Sequence, residues 1–310
     1  MNRKPRALGV GSTVAVVAPS GPVSKDSIDR GVAILESLGL KVKVLGSVLK
    51  QYGYLAGDDK DRAHDFGAAW TDPSVDAVIC ARGGYGATRM LRYLDFNTLR
   101  PHKKVFVGYS DITALHLALR KELRLVTFHG PMVATRKGAS LDVPLNLESL
   151  WSALSSGDVR LPDGDNLRSL SPGRAEGELT GGNLSLVAAS IGTTYEVNTK
   201  GKILFLEEVG EAPYRIDRML CQLDSAGKLD QAAGFLVGDF TDCEAREGSP
   251  TLSVEELINQ YLCGRGKPCV AGLPSGHGRL NLTLPLGVRV AVDGDHGTFR
   301  FFESPVGRRR

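Results

Sequence analysis

The stretch VFVGYSDITALHLAL, Val105–Leu119, decides the architecture. Its opening Val105–Val107 is an unbroken apolar run, the pattern of a strand buried on both faces of a parallel sheet. Its closing Ala114–Leu119 reads as a helix. Between them GYSDIT (Gly108–Thr113) must turn the chain within a few residues, and Gly108 permits so sharp a bend. A strand that passes straight into a helix leaves its turn at the carboxyl edge of the sheet, where open α/β sheets bind ligands. Ser110 at that turn would present its hydroxyl to the site. The N–H of Asp111, which opens the helix, would face the same way and could hold an oxyanion. The run departs from the G-x-S-x-G elbow, because Ile112 stands in place of the second glycine. A plainer reading stays open: Ser110 or Asp111 serves only as a helix cap.

The flanking sequence keeps the same alternation. TVAVVAP (Thr13–Pro19) reads as a strand, and Ser24 caps a helix with Ile28, Val32 and Leu35 on one face, ended by Gly39. KVKVL (Lys41–Leu45), DAVICA (Asp76–Ala81) and LRLVTF (Leu123–Phe128) read as further strands, with helices at Asp58–Trp70 and near Thr88–Tyr93. Strands alternating with helices predict a mostly parallel sheet covered on both faces. The rhythm breaks between Ala134 and Glu178, where LESLWSAL is a short helical patch and a run rich in Gly, Pro, Ser and Asp follows. Beyond it, KILFLEE (Lys202–Glu208) and GFLVGDF (Gly234–Phe240) are strands. Ile216, Met219, Leu220 and Leu223 form a helical stripe ended by Gly227, and Ser253 with Glu256 forms a capping box. VRVAVDGDHGTFRFF closes the chain as a hairpin turning near Asp293–Gly297. The expected division is an N-terminal α/β domain over 1–135, a linker over 136–175 and a C-terminal domain over 176–310.

A length of 310 residues fits two domains, and 42% hydrophobic with 24% charged residues fits a globular chain with a sizeable core. A net charge of +3 makes no case for nucleic acid or an anionic membrane, and the terminal GRRR reads as a solvated tail. The five cysteines form no C-x-x-C pair, which points to reduced thiols in the cytosol rather than a disulfide framework. The Val-rich run near the N-terminus reads as a first strand rather than a signal peptide, since Pro19 and Gly21 end it where a β-to-α turn would fall. No apolar run is long enough to span a bilayer.

RGGYG (Arg82–Gly86) also follows a strand and opens a helix, so it should share the serine's edge. Its glycines expose backbone N–H groups, and Gly84 or Gly83 could supply a second oxyanion donor. A phosphate cradle would need a G-x-G-x-x-G or Walker pattern that is missing here, and a plain structural turn remains possible. A serine nucleophile needs a base, usually a histidine oriented by a carboxylate. His277 in PSGHGRLN has glycine on both sides in a loop, His129 in FHGPM follows a strand, and the other histidines suit structural or surface roles. Glu207 and Glu208 end an apolar strand, so at least one should face a partly buried site. The H-E-x-x-H, Cys/His and D-x-D-x-D-G metal patterns are all missing, which disfavours a metal.

RGGYGATRML, GYSDITAL, TFHGPM, GELTGGNLSL, LFLEEVGEAPYRIDRMLCQL and GLPSGHGRLNLTLPLG, in this order, resemble the LD-carboxypeptidase family of serine peptidases, which includes muramoyltetrapeptide carboxypeptidases and microcin C immunity peptidases. The resemblance runs from about Val14 to Val292. It implies an N-terminal flavodoxin-like parallel sheet sandwich carrying Ser110 as nucleophile. A C-terminal β-rich α/β domain would bring Glu207 and His277 across an interdomain cleft as orienting acid and general base. The N–H groups of Asp111 and of Gly84 or Gly83 would form the oxyanion hole, and Arg82, Tyr85, Arg215 and Arg218 are candidates to bind substrate. The implied protein is a cytoplasmic homodimer without cofactor or metal. Its implied reaction removes D-alanine from the L-centre of a murein tetrapeptide, in peptidoglycan recycling. Two other readings stand beside it: a peptidase of the microcin C immunity type, cleaving aminoacyl-nucleotides, and a non-catalytic small-molecule binder.

Overall fold

The computed structural model describes residues 2–134, 140–159, 167–244 and 250–308. The strands are β1 (Thr13–Val17), β2 (Lys41–Val44), β3 (Ala77–Cys80), β4 (Val105–Gly108), β5 (Thr127–His129), β6 (Arg168–Ser171) and β7 (Arg174–Asn183). They continue with β8 (Ile203–Val209), β9 (Gly234–Thr241), β10 (Cys269–Ala271), β11 (Leu284–Leu286), β12 (Arg289–Asp293) and β13 (Thr298–Phe301). The helices are α1 (Lys25–Ser37), α2 (Asp59–Thr71), α3 (Ala87–Met90), α4 (Phe96–Leu99) and α5 (Thr113–Leu123). After them come α6 (Pro144–Ser155), α7 (Leu184–Ala189), α8 (Pro213–Ser225), α9 (Lys228–Gln231) and α10 (Val254–Leu262). Two compact units result: Met1–Leu161 with Arg279–Pro285 and Ser304–Arg310, and Pro162–Gly278 with Leu286–Glu303.

The first unit is a mixed α/β layer structure. Its sheet runs β2-β1-β3-β4-β5 in parallel, the flavodoxin-like order, with β11 added beside β5. β1, β3 and β4 are buried along their whole length, which is why each reads as a continuous apolar run; edge strand β2 is mostly exposed and alternates. The Val-rich N-terminal run is thus a central strand. Ser24 caps α1 and Asp58 caps α2, each accepting from a first-turn N–H. On the helix side, Phe66 stacks on Trp70 with ring centroids 5.3 Å apart, and Phe106 of β4 meets Phe66 edge-on. One boundary differs from expectation: Leu123 ends α5 rather than starting a strand, because Arg124 takes a left-handed conformation that closes the helix.

The second unit holds a mixed seven-stranded sheet in the order β13-β12-β7-β8-β9-β10-β6. Strands β7 to β10 are parallel, while β12, β13 and β6 pair antiparallel at the two sides. The stripe Ile216, Leu220 and Leu223 is the buried face of α8, and Ser253 and Glu256 form the capping box that opens α10. The β12–β13 hairpin turns where the sequence places it.

The stretch 136–175, read from composition as a linker, divides between the units. α6 buries Leu150, Ala153 and Leu154 in the first unit, and its Asn146 and Ser149 accept the N–H groups of Asn281 and Thr283 at 2.7 and 3.0 Å. β6 joins the second sheet beside β10. Within that stretch, 136–139 and 160–166 lie outside the described residues, as do the last two arginines of the GRRR tail. Residues 279–285 and 304–310, expected in the C-terminal domain, belong to the first unit.

Candidate active site

In the first unit, three turns follow β1, β3 and β4 at the carboxyl edge of the sheet. The turn after β4 is tight. Tyr109 is extended and buried, and Ser110 follows at φ 65°, a left-handed conformation that a non-glycine residue adopts with strain. The next residues, Ser110–Ile112, form a 3₁₀ turn leading into α5. The turn after β3 lies directly against the serine. A Cβ on Gly83 would sit 2.8 Å from Ser110 Cβ, 2.9 Å from Ser110 Oγ and 3.5 Å from the Asp111 nitrogen, so only glycine fits. The turn after β1 closes on the same place, where the Gly21 N–H donates to the Gly83 carbonyl at 3.1 Å.

Buried polar groups lock these turns together. The Asp111 side chain caps neither its own 3₁₀ turn nor α5; it accepts from Ser20 Oγ at 2.5 Å and from the Ala87 N–H, which opens α3, at 2.8 Å. Burial pushes its carboxyl above the usual range, opposed by those hydrogen bonds and by the Arg62 charge. Arg62 is itself buried, donates to the carbonyls of Pro19 and Gly86 and pairs with Asp59. His116 Nε2 donates to the Gly108 carbonyl at 2.9 Å, and burial drives its pKa down to about 4. It is a neutral brace for the end of β4.

In the second unit, Glu207 and Glu208 are consecutive on β8, point to opposite faces and are both buried. Their roles separate cleanly. Glu208 accepts from Asn183 Nδ2, the Ser185 N–H and hydroxyl, and the Val209 N–H, all within 2.6–2.8 Å, so its oxygens are taken up in holding the fold. Glu207 accepts from His277 Nδ1 at 2.7 Å and is completely shielded from solvent, while His277 keeps 15% of its side chain exposed. Burial pushes Glu207 up, opposed by His277. Burial pushes His277 down, but the charge and hydrogen bond of Glu207, with Glu208 and Asp239 adding, outweigh it and raise the imidazole above its ordinary value. The β8–β9 register slips here: Leu206 pairs Val237 and Glu208 pairs Phe240, so Gly238 and Asp239 together oppose Glu207.

Ser110, Asp111, Gly83 and Gly84 therefore share one edge of the first unit. There the Gly84 Cα stands where an added Cβ would lie 3.8 Å from an Arg82 guanidinium nitrogen. Arg82 also donates to the Pro22 carbonyl at 3.2 Å, and Tyr85 is half exposed with its ring edge-on to Tyr54. Glu207 and His277 are brought together in the second unit. Arg215 and Arg218 lie on α8, where Arg215 bonds Tyr214 and Glu211 and both guanidinium groups lie over the Tyr214 ring. His129 is buried beside Tyr109. Asp239 escaped the sequence reading, although it ends an apolar strand just as Glu207 does. Among the described residues, no cluster of three or more His, Cys, Asp or Glu side chains is arranged to hold a metal ion, and no helix is long and apolar enough to cross a membrane.

The comparisons with known proteins agree along the chain. A probable murein peptide carboxypeptidase of Bacillus subtilis is 43% identical over 94% of this chain and 92% of its own length. The murein tetrapeptide carboxypeptidase of Pseudomonas aeruginosa is 33% identical over 91% of this chain and 93% of its own. The crystal structure of a muramoyltetrapeptide carboxypeptidase from Oxalobacter formigenes superposes with a TM-score of 0.82 at 31% identity, covering 94% of this chain and 98% of that one. Residues 14–130 match the LD-carboxypeptidase N-terminal domain and residues 176–292 the LD-carboxypeptidase C-terminal domain, so the chain belongs to the LD-carboxypeptidase family.

Proposed function

We propose that this chain is a serine L,D-carboxypeptidase that removes the terminal D-alanine from murein tetrapeptides, with Ser110, His277 and Glu207 as its triad. The observation that carries the reading is the Glu207–His277 hydrogen bond of 2.7 Å at Nδ1, with the acid fully buried. A histidine whose Nδ1 is held by a buried carboxylate presents Nε2 for proton exchange, the arrangement a hydroxyl nucleophile needs. Ser110 Oγ attacks the carbonyl carbon of the scissile amide as its proton passes to His277 Nε2. The oxyanion accepts hydrogen bonds from the Asp111 N–H and from a glycine N–H of the RGG turn, Gly84 or Gly83. Collapse breaks the C–N bond, and His277 delivers the proton to the leaving D-alanine nitrogen. Water then adds to the acyl-enzyme with His277 again as base, restoring Ser110.

The substrate's free carboxylate calls for a guanidinium fork. Arg82 suits this role best among the candidates, because it borders the glycine turn beside Ser110 while Arg215 is engaged by Glu211 and Tyr214. Tyr85 would line the same approach. The enzyme would work without a cofactor, as a homodimer in the cytoplasm. The test is release of D-alanine from a murein tetrapeptide, followed by mass spectrometry, with an aminoacyl-nucleotide conjugate as a second substrate. Wild type should release D-alanine and spare the conjugate, and Ser110→Ala should lose about 10³-fold or more in kcat. Near-equal turnover by Ser110→Ala would overturn the nucleophile, and cleavage of the conjugate alone would overturn the substrate.

A further inference from the structure

The loop Ser275–Gly278, which carries His277, is bound to the end of β9 on both sides of the histidine, and one residue makes both bonds. The Asp239 N–H donates to the Ser275 carbonyl at 3.1 Å, and the Asp239 carboxylate accepts from the Gly278 N–H. The approach is close throughout. A Cβ on Gly278 would fall 2.5 Å from Asp239 Oδ2, and one on Gly276 would fall 2.9 Å from Glu207 Oε2 and 3.3 Å from Asp239 Cβ. The register slip opposite Glu207 sets this up, because it inserts an extra residue into β9 at Gly238–Asp239.

From this geometry we infer that Asp239 is a second carboxylate positioning His277, clamping its loop and biasing its charge, beyond the Ser-His-Glu triad. The inference rests on His277 being the base proposed above. The charged groups that bear on Asp239 are Glu207 from β8 and His277 from the clamped loop. Burial first, and then the Glu207 charge, raise the Asp239 carboxyl to about 6, against the Gly278 hydrogen bond and His277. Asp239 is therefore ionised at neutral pH and favours the imidazolium, and it loses that influence as pH falls through 6. A purely packing residue would hold the loop without touching the histidine's titration.

The experiment compares Asp239→Asn, which keeps the shape and an oxygen acceptor but removes the charge, with Asp239→Ala, which removes both. The His277 imidazole is titrated by NMR, its signal assigned by its disappearance in His277→Gln, and the pH dependence of kcat/KM is measured on murein tetrapeptide. In Asp239→Asn the His277 titration and the acid limb of activity should move down together by about one pH unit, with the plateau kept within a few-fold. Asp239→Ala should also lose about tenfold or more of the plateau kcat through a loosened loop. An unmoved His277 titration in Asp239→Asn overturns the inference, even if Asp239→Ala fails to fold. The NMR titration does not depend on turnover, so a failed triad, seen as an active Ser110→Ala, is told apart from a failed role for Asp239.

Discussion

Gly83→Ala is a sharp test of how the first unit places its serine. The added methyl would sit 2.8 Å from Ser110 Cβ and 2.9 Å from its Oγ. Comfortable contacts lie near 3.5 Å or beyond, so one wall must retreat by about 0.6–1 Å. Gly83 cannot retreat freely, because its carbonyl holds the Gly21 N–H. Ser110 is tied on through Asp111 to Ser20 and Ala87, and it already sits in a strained conformation. Overpacking of this kind costs about 1–3 kcal/mol, or roughly 2–10 °C in Tm for a unit of this size. The catalytic effect should be larger than the thermal one. A nucleophile displaced by about 1 Å can lose about a hundredfold in rate, so kcat on murein tetrapeptide should fall about 30- to 100-fold with KM little changed. Gly67→Ala is the control: it lies inside α2 with no atom within 4 Å of the added Cβ, and it should leave kcat alone and raise stability by about 0.5–1 kcal/mol. If Gly83→Ala keeps kcat within about threefold of wild type and melts with it, the RGG turn does not set the serine's position.

Two further outcomes follow from the buried groups. Glu207→Gln keeps a side chain that can bond the imidazole but removes the anion that fixes its tautomer, so kcat should fall about 10³- to 10⁴-fold while the fold persists; steady-state kinetics and circular dichroism read the two. His116 has a folded-state pKa of about 4, below its ordinary 6.5, so the unfolded chain takes the proton first. Its contribution is complete above pH 6.5 and is lost as pH falls toward 4, by up to about 3 kcal/mol. His116→Gln should abolish that part of the acid sensitivity in urea unfolding measured between pH 7 and 4.5.

The elements legible in the sequence were those whose pattern has one cause. β1, β3 and β4 are buried on both faces and read as apolar runs, and α1 and α10 carry their caps openly. β7 was not legible, although it pairs with both β8 and β12. Its glycines break the alternation that marks a strand, and they do so for a tertiary reason: a Cβ on Gly181 would lie 2.0 Å from the Phe205 carbonyl oxygen of β8. α6 shows in the sequence as the helical patch LESLWSAL, but its membership of the first unit does not, because its partners, Asn281 and Thr283, lie far along the chain. At the site, the LFLEE strand end pointed to a buried acid but left the choice between Glu207 and Glu208 to the resemblance. The hydrogen bonds of the second unit separate the two. Asp239 could be weighed only once the register slip put it beside the histidine loop.

The backbone itself carries a further argument for chemistry at Ser110. Among the described residues three non-glycine residues have positive φ: Ser110, Arg124 and Asp242. Arg124 is the C-cap of α5, where a left-handed residue ends a helix, and Asp242 follows β9 in a turn, where aspartate tolerates that conformation. Ser110 has neither excuse. A glycine at that position would relieve strain of about 1 kcal/mol or more and would pass the Gly83 contact with room to spare. The serine stands against the backbone's preference at a place where neighbouring turns are tied down by Asp111 and Arg62, two buried charged groups that a simple turn would not need. Local rules are broken at this one residue while the surroundings are over-determined to hold it, which is the signature of a side chain kept for what it does rather than for what it packs against.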